Sequence, residues 1–568
     1  MMDDPDYITP SMRNNIEKRI SETTFPVQCV QTDIQSVSNL KKVKSKIVFD
    51  ENPDFPYASA SIDRKYNEEL GRHVVANKLI KRGDILFLER PISFVLLNQD
   101  TLNYLCQHCN RSNIDTPIPC TVCLNTLYCD VKCSNEAWSL YHRWECPGSQ
   151  IGIWKEIGIG HLALKVLLTC TTTPDKIKFN EMQNLVTNFD KLSIEDLAVY
   201  GTTALMLTIY LFEYTDYFKV NNLNNCFIDK FFDKTLNSKF SNVTKIDEQL
   251  YVSSLLLRHI LQLICNGHAI TNSNVLPSKR DSSTSQQDIV ATGIYPSASM
   301  MNHSCDPNII NIFVDQYLIV KASKDIAINE EIFNCYGPHY RHMSREQRQK
   351  MLKSQYCFIC TCKPCTHPEL QYFVERFHAM KCLKCNGALC QIQDSLQCLD
   401  CDDRPKFHND NKMKKAEEIF QAAQASIDSG KMKEALNKLK RCLHIRRNIL
   451  YKYNESITFN LNLMGEIYVK IDQLVDSITC LEDTIPAVAE KSGSSSMELL
   501  NQLNNLTDTC IMYLEKDSNT TTDTYRNILK RTQKYLNQTG ELIDFNYGSW
   551  SKAYEDIQTK QKKVLSIL

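Results

Sequence analysis

The sequence lacks an apolar run long enough to cross a bilayer as a helix. Ala204 to Phe212 is the nearest approach, and Glu213 ends it well short of the roughly 20 residues a span requires. The first residues, Met1-Met2-Asp3-Asp4-Pro5, lack both the basic start and the apolar core of a secretory signal. A surplus of one charge is also missing. Lys+Arg number 65 against Asp+Glu 66, a net charge of −1, so nothing draws the whole chain toward phosphate backbones or anionic membranes. No basic stripe supports sequence-specific DNA binding. These absences lead to the expectation of a soluble chain in a reducing compartment, with no membrane partner.

What is present is a globular composition, 43% hydrophobic and 23% charged, over 568 residues. That length suggests about three or four domains. The 25 cysteines read as thiols, many of them metal ligands. Eight soft ligands fall within 41 residues: Cys106-x2-Cys109-x10-Cys120-x2-Cys123-x5-Cys129-x3-Cys133-x8-His142-x3-Cys146. Each Cys-x2-Cys pair can chelate one ion from a tight turn, so the set suits two four-coordinate structural zinc sites. Further on, Cys382-x2-Cys385-x12-Cys398-x2-Cys401 has zinc-ribbon spacing. It is either a further metal site, with Cys390 able to replace one ligand, or a set of reduced surface thiols.

Along the chain, residues 1–56 are polar and read as a flexible lead; Lys41 to Lys46 is a nuclear import signal or a solvated charge run. Gly71 to Ala76 and Ile85 to Pro91, around Lys81-Arg82-Gly83-Asp84, predict two short strands about a glycine turn. Leu162, Leu164, Val166, Leu167 and Leu168 mark one helix; Ala204 to Tyr214 and Ser253 to Ile264 mark others. Val275 to Asp288 reads as a surface loop, and Asn311–Val314 with Tyr317–Val320 as a hairpin about Asp315-Gln316. Glu330 and Glu331 read as solvated. From Lys412 the pattern is helical, and Leu436, Leu439 and Leu443 are echoed 42 residues later by Ile478, Leu481 and Ile485. Ser492 to Ser496 breaks the array before a helix from Met497 to Leu506.

Asn302-His303-Ser304-Cys305, Glu330-Glu331-Ile332-Phe333-Asn334-Cys335-Tyr336-Gly337 and Tyr356-Cys357-Phe358-Ile359-Cys360-Thr361-Cys362 with Cys365 follow in order. This series resembles the core and post-SET segments of SET-domain lysine methyltransferases. With the finger upstream, it resembles the SET and MYND domain-containing (SMYD) family. Gly160-His161-Leu162-Ala163-Leu164, Ala291-Thr292-Gly293-Ile294 and Cys335-Tyr336-Gly337-Pro338 are most like its fourth human-type branch.

The resemblance implies an α+β multidomain fold: a β-rich SET core split by a MYND zinc finger and a helical insert, then an all-α TPR-like domain. The implied boundaries are 57–105 for the first part of SET, 106–146 for the finger and 147–270 for the insert. They continue with 271–345 for core SET, 346–368 for post-SET and 369–568 for the C-terminal domain. The implied activity is transfer of a methyl group from S-adenosylmethionine to a lysine of a histone or other protein. An inactive adaptor that recruits corepressors is the rival.

Leu70, Gly71, Arg72, Asn188, Asn302, His303, Tyr336 and Phe358 would hold the cofactor. Asn266, His268 and Tyr356 would line the lysine channel, and Tyr336 and Tyr356 would be catalytic. His268 stands where several members have Phe, and His73 replaces a frequent second glycine. Zinc would be held by Cys106, Cys109, Cys129 and Cys133; by Cys120, Cys123, His142 and Cys146; and by Cys305, Cys360, Cys362 and Cys365. Implied partners are a proline-rich corepressor peptide at the finger and a chaperone at the repeats, for a monomer in cytoplasm and nucleus.

Overall fold

Strand-forming and helix-forming runs occupy separate blocks of the chain. The computed structural model describes residues 50–97, 105–112, 116–172, 176–220, 248–271, 289–392, 395–405, 410–516 and 522–566. Most of the expected lead, with Lys41 to Lys46, and the loop Val275 to Asp288 lie outside the described residues. Residues 50–56 do not belong to a lead. Phe55 is 1% exposed and packs edge-on against Phe87, 5.4 Å between ring centres, and Glu51 bridges to Ser59.

The β core consists of small sheets, all but one of the described pairings antiparallel. β1 (Ile62–Asn67) pairs with β2 (Gly71–Ala76). β3 (Ile85–Glu89) joins β10 and β11 (Ile309–Val314, Tyr317–Ala322) in the order β10-β11-β3. β4 (Phe94–Leu96), β7 (Gly267–Thr271) and β8 (Ile289–Ile294) form a third sheet with β8 central. β2 and β3 flank Gly83 as expected, yet they pair elsewhere. The β10–β11 hairpin turns at Asp315, whose φ of +53° is the left-handed conformation a tight turn of this hand needs. A short pair, β5 (Ile118–Pro119) and β6 (Leu127–Tyr128), lies in the finger with α1 (Val131–Ala137) and α2 (Arg143–Ile151).

The insert is helical: α3 (Ile159–Thr172), α4 (Ile194–Tyr214) and α5 (Glu248–Asn266). α3 buries Leu162, Leu164, Val166, Leu167 and Leu168, and it packs on α5. α4 starts ten residues before the run read from sequence, because Ser193 caps it by accepting from the Asp196 N–H at 3.0 Å. By length and composition it could cross a membrane; among the described residues it is the one such helix, and core helices of soluble proteins pass the same test. α5 runs straight into β7 at Gly267, where an added Cβ would lie 2.7 Å from the Leu263 carbonyl oxygen. Only glycine fits that junction.

The C-terminal part is a run of helices, each packed on the next: α7 (Asp410–Asp428), α8 (Met432–Ile449), α9 (Glu455–Lys470), α10 (Leu474–Ser492), α11 (Met497–Lys516), α12 (Asp523–Tyr547) and α13 (Lys552–Leu565). Leu436, Leu439, Leu443, Ile478 and Leu481 are buried, as the 42-residue echo requires. The end of the array docks on the β core. Trp550 packs with Ile312, Val314 and Ile319, and Lys321 Nζ sits 4.9 Å from the Trp550 ring centre.

Two histidines beside the β7 junction are held neutral. Burial pushes His259 and His268 down to about 4, although a bond to Gln262 or to the Asn266 backbone opposes it. The unfolded chain takes up their protons below its ordinary value near 6.5, whereas the folded chain does not until about pH 4. Stability from fully buried His259 is therefore lost as pH falls from 6.5 toward 4, by about 3 kcal/mol at the lower end. Thermal melts from pH 7 to 5 will show this fall, and His259→Gln will flatten it; an equal slope in both proteins would refute the assignment.

Candidate active site and metal centres

Two short strands, distant in sequence, meet side by side at the site. β9 (Asn302–His303) and β12 (Phe333–Asn334) run parallel, with Phe333 beside Asn302 and Asn334 beside His303. Tyr336 follows directly and is tied to β9 at both ends. Its backbone N–H donates to His303 Nδ1 at 3.1 Å, and its hydroxyl donates to the Met301 carbonyl at 2.8 Å. The Tyr356 hydroxyl donates to the Tyr336 carbonyl at 3.1 Å, and the two rings lie 4.9 Å apart. Tyr356 ends helix α6 (Arg345–Tyr356), and Cys357 reverses the chain at φ +60°. That reversal brings Phe358 to 6.0 Å from the His303 ring centre.

Three further segments meet this collar. The Asn302 amide donates to the Leu70 carbonyl at 3.2 Å and to Glu331 Oε1 at 2.9 Å. Gly71, at φ +64°, presents its Cα hydrogen to open space, so the backbone there is free to meet a ligand. The Arg72 guanidinium donates to the Asn184 carbonyl; burial lowers its pKa while Glu181 opposes the shift. The Asn188 amide donates to the Tyr356 carbonyl and to Cys265 Sγ, each at 3.3 Å. Asn188 lies at a left-handed turn, φ +51°.

His268 lies 5.4 Å from Tyr295, its Nδ1 3.0 Å from the Asn266 carbonyl oxygen. Asn266 does not offer its side-chain amide to a channel. That group donates to the Val186 and Gln262 carbonyls, at 3.0 and 2.7 Å, and so ties the end of α5. Glu331 is likewise not simply solvated: it is half-buried on Asn302, and burial raises its pKa against that bond.

Burial sets the protonation of the collar. It holds Tyr336 well above the usual phenol range and pushes Tyr356 up to about 12, so both are neutral phenols near pH 7. His303 is pushed down to about 4, chiefly by burial. Its Nδ1 accepts from Tyr336, so the ring proton is on Nε2 and is donated to Cys305 Sγ at 3.3 Å. One imidazole thus links the Tyr336 strand to a cysteine cluster.

Among the described residues, four groups of donors lie with all their ligand atoms within 4.8 Å of one another. A tetrahedral zinc with bonds near 2.3 Å sets sulfur–sulfur edges of about 3.8 Å. Cys109–Cys129 at 3.6 Å, Cys129–Cys133 at 3.5 Å, Cys120–Cys146 at 3.9 Å, Cys305–Cys360 at 4.0 Å and Cys305–Cys365 at 3.6 Å match those edges. The donors therefore fit zinc. Cys106, Cys109, Cys129 and Cys133 form one group; Cys120, Cys123, His142 and Cys146 interleave with it as a second. Cys305, Cys360, Cys362 and Cys365 form a third, and Cys382, Cys385, Cys398 and Cys401 a fourth. Cys390 is outside the fourth, buried instead among Ala379, Ala388 and Tyr451.

Sequence reading missed the groups that hold these ligands. Glu145, fully buried, accepts from His161 Nε2 at 3.0 Å and lies 3.6 Å from His142 Nδ1. Burial would raise its pKa, but both histidines outweigh that and hold it well below the carboxylate range. The carboxylate fixes His142 with Nε2 toward the metal. Glu145→Gln is expected to cost about 10- to 100-fold in zinc affinity at the second site. Competition with a chromogenic chelator measures it, and unchanged release would refute the role.

Around the third group, Gln349 closes a two-way amide clamp on Cys360, at 2.7 and 3.0 Å. Buried Arg348 donates to the Pro364 carbonyl at 3.1 Å and to Cys365 Sγ at 3.6 Å, offsetting thiolate charge. Glu145 stands three residues after His142, a helical spacing that could have been noticed. Arg348 carries no comparable signal.

A SET-domain profile matches residues 71–337. Protein-lysine N-methyltransferase SMYD4 of Homo sapiens is 25% identical over 542 residues, 82% of this chain and 66% of the relative. SMYD4 of Danio rerio is 23% identical over 79% of this chain and 69% of its own length. Histone-lysine N-methyltransferase SMYD3 of Homo sapiens is 25% identical over 50% of this chain and 57% of its own. The chain thus spans about two thirds of the length of its SMYD4 relatives.

Proposed function

We propose that this SET-domain protein, similar to the SMYD methyltransferases over about four fifths of its length, transfers methyl groups to lysine side chains of proteins. The observation that carries the reading is the double tie of Tyr336 to Met301 and His303, which fixes a neutral phenol against Tyr356. S-adenosylmethionine, when bound, supplies an electrophilic methyl on sulfur. Asn302, His303, the Leu70–Gly71 backbone, Asn188 and Phe358 would hold it.

The chain's own residues supply position and dryness. Near-attack placement of two reactants is worth up to roughly 7–11 kcal/mol of a barrier. Tyr336 and Tyr356 form one wall of the approach with rings whose hydroxyls are already engaged, so a lysine amine brought up beside them loses water and its charged form is disfavoured. None of the collar residues is a base near neutral pH. Both phenols keep their protons, His303 Nδ1 is occupied by the Tyr336 N–H, and burial leaves His268 a poor acceptor. The amine's proton therefore leaves to water before transfer. Histone and non-histone proteins of nucleus and cytoplasm are the proposed substrates.

Calorimetry of the zinc-loaded chain with S-adenosylmethionine tests the reading. Saturable one-to-one binding is expected, followed by label transfer to protein bands in cell extract. Absence of binding would overturn it in favour of an adaptor.

A further inference from the structure

The fourth thiol group takes no part in the transfer proposed above. It sits on a three-stranded meander, β13 (Met380–Lys381), β14 (Ala388–Ile392) and β15 (Ser395–Cys398), between the post-SET segment and the helical array. Its two Cys-x2-Cys turns share one geometry. In the first, the Cys382 N–H donates to the Gly387 carbonyl at 3.0 Å, and the Asn386 N–H to the Cys382 carbonyl at 2.9 Å, with Asn386 at φ +63°. In the second, the Cys398 N–H donates to the Asp403 carbonyl at 2.9 Å, and the Asp402 N–H to the Cys398 carbonyl at 3.1 Å, with Asp402 at φ +57°.

The finger's turns are built alike. The Asn110 N–H donates to the Cys106 carbonyl at 2.8 Å with φ +59°, and the Leu124 N–H to the Cys120 carbonyl at 3.0 Å with φ +60°. Left-handed φ is uncommon outside glycine. Its recurrence at the residue after the second cysteine of all four pairs marks a turn that aims two thiols at one point. Cys382–Cys401 at 3.8 Å and Cys385–Cys398 at 3.5 Å are the edges a tetrahedral zinc sets, about 3.8 Å.

The meander's own packing is thin. It buries Leu389 with Cys382 and Cys398 beneath the thiols, and Ala388 and Cys390 against Tyr451 on the other face, far below what an independent core needs. A metal supplies the missing stability. The meander is also what the array starts from. The Ala379 carbonyl accepts from the Tyr451 N–H at 3.1 Å and from the Asn454 amide at 2.8 Å, at the head of α9. Arg376 donates to Asp400 Oδ1 at 2.8 Å while lying over the Tyr451 ring, and Asp400 Oδ2 accepts from the Ala388 N–H at 2.8 Å.

We propose that Cys382, Cys385, Cys398 and Cys401 bind a fourth structural zinc, a joint that holds the helical array in register with the post-SET segment. Of the four metals it is the first to be lost, because Cys385 is exposed and neighbouring Leu383 is 90% exposed, whereas the finger and post-SET donors are more enclosed.

Metal analysis of the full chain should give four zinc ions, and Cys382→Ser/Cys398→Ser three. The variant should bind S-adenosylmethionine within about threefold of wild type, because no residue of the meander is among those that would hold the cofactor. Limited trypsin should cut it beside the meander at least about tenfold faster, since local opening sets cleavage. Three zinc ions in wild type, or a zinc-depleted variant with an unchanged digestion pattern, would overturn the joint.

Should the variant not fold, graded chelation of wild type with mass-spectrometric mapping of newly alkylated cysteines decides. Cys385 and Cys401 should label first; earlier labelling in the finger would overturn the proposal. Failure of cofactor binding in wild type bears only on the methyl-transfer reading.

Discussion

Tyr336→Phe is expected to slow methyl transfer about a hundredfold, some 2.7 kcal/mol of barrier. Affinity for S-adenosylmethionine should change little. The ring remains 4.9 Å from Tyr356, and the tie to His303 uses the backbone N–H, which phenylalanine keeps. What goes is the hydroxyl on the Met301 carbonyl, and with it the dipole fixed beside the methyl path. The stability cost of that one bond is about 1 kcal/mol, too little to unfold the core. Label transfer at saturating cofactor, with calorimetry on the same sample, separates the two effects. Equal transfer by both proteins would show that Tyr336 does not line the path.

Cys360→Ser should abolish cofactor binding while leaving the finger intact. Cys360 is clamped by Gln349, and the segment it anchors carries Phe358 and the end of Tyr356. Without its zinc the three remaining thiols lose their common partner, Arg348 is left buried beside uncoordinated thiols, and His303 loses a fixed acceptor at Cys305. The expected result is one zinc ion fewer per chain, cofactor affinity at least about a hundredfold weaker, and faster amide exchange across residues 345–371. Retained affinity after loss of the ion would refute the dependence of the pocket on the metal.

Much of this was legible in the chain because it depends on spacing. Cysteine intervals name their own turns, and Asn302-His303 with Tyr336-Gly337 mark the two segments that come together. The two-residue interval at Asp315-Gln316 gave its hairpin for the same reason. Legibility stopped where partners are distant in sequence. Glu331 looks like any surface acid until β12 lies beside β9 and puts it on Asn302. Asn266 matched a channel position, but the end of α5 turns its amide onto Val186 and Gln262 instead. Phe55 lies in a polar stretch, and only Phe87 explains its burial. The start of α4 was missed because its first turns are polar and amphipathic; a serine cap, not hydrophobicity, sets it.

The pairing of β9 with β12 also bears on the order of synthesis. β11, between them in sequence, lies against β3, more than 200 residues upstream, and β12 returns along β9. Contacts so remote close slowly, since each encloses a long stretch of mobile chain first. On the ribosome the finger can take up its metals while the rest is still being made. The pocket must wait for Cys365 to emerge, so a nascent chain stalled before that residue would carry finished zinc knuckles and no place for a methyl donor.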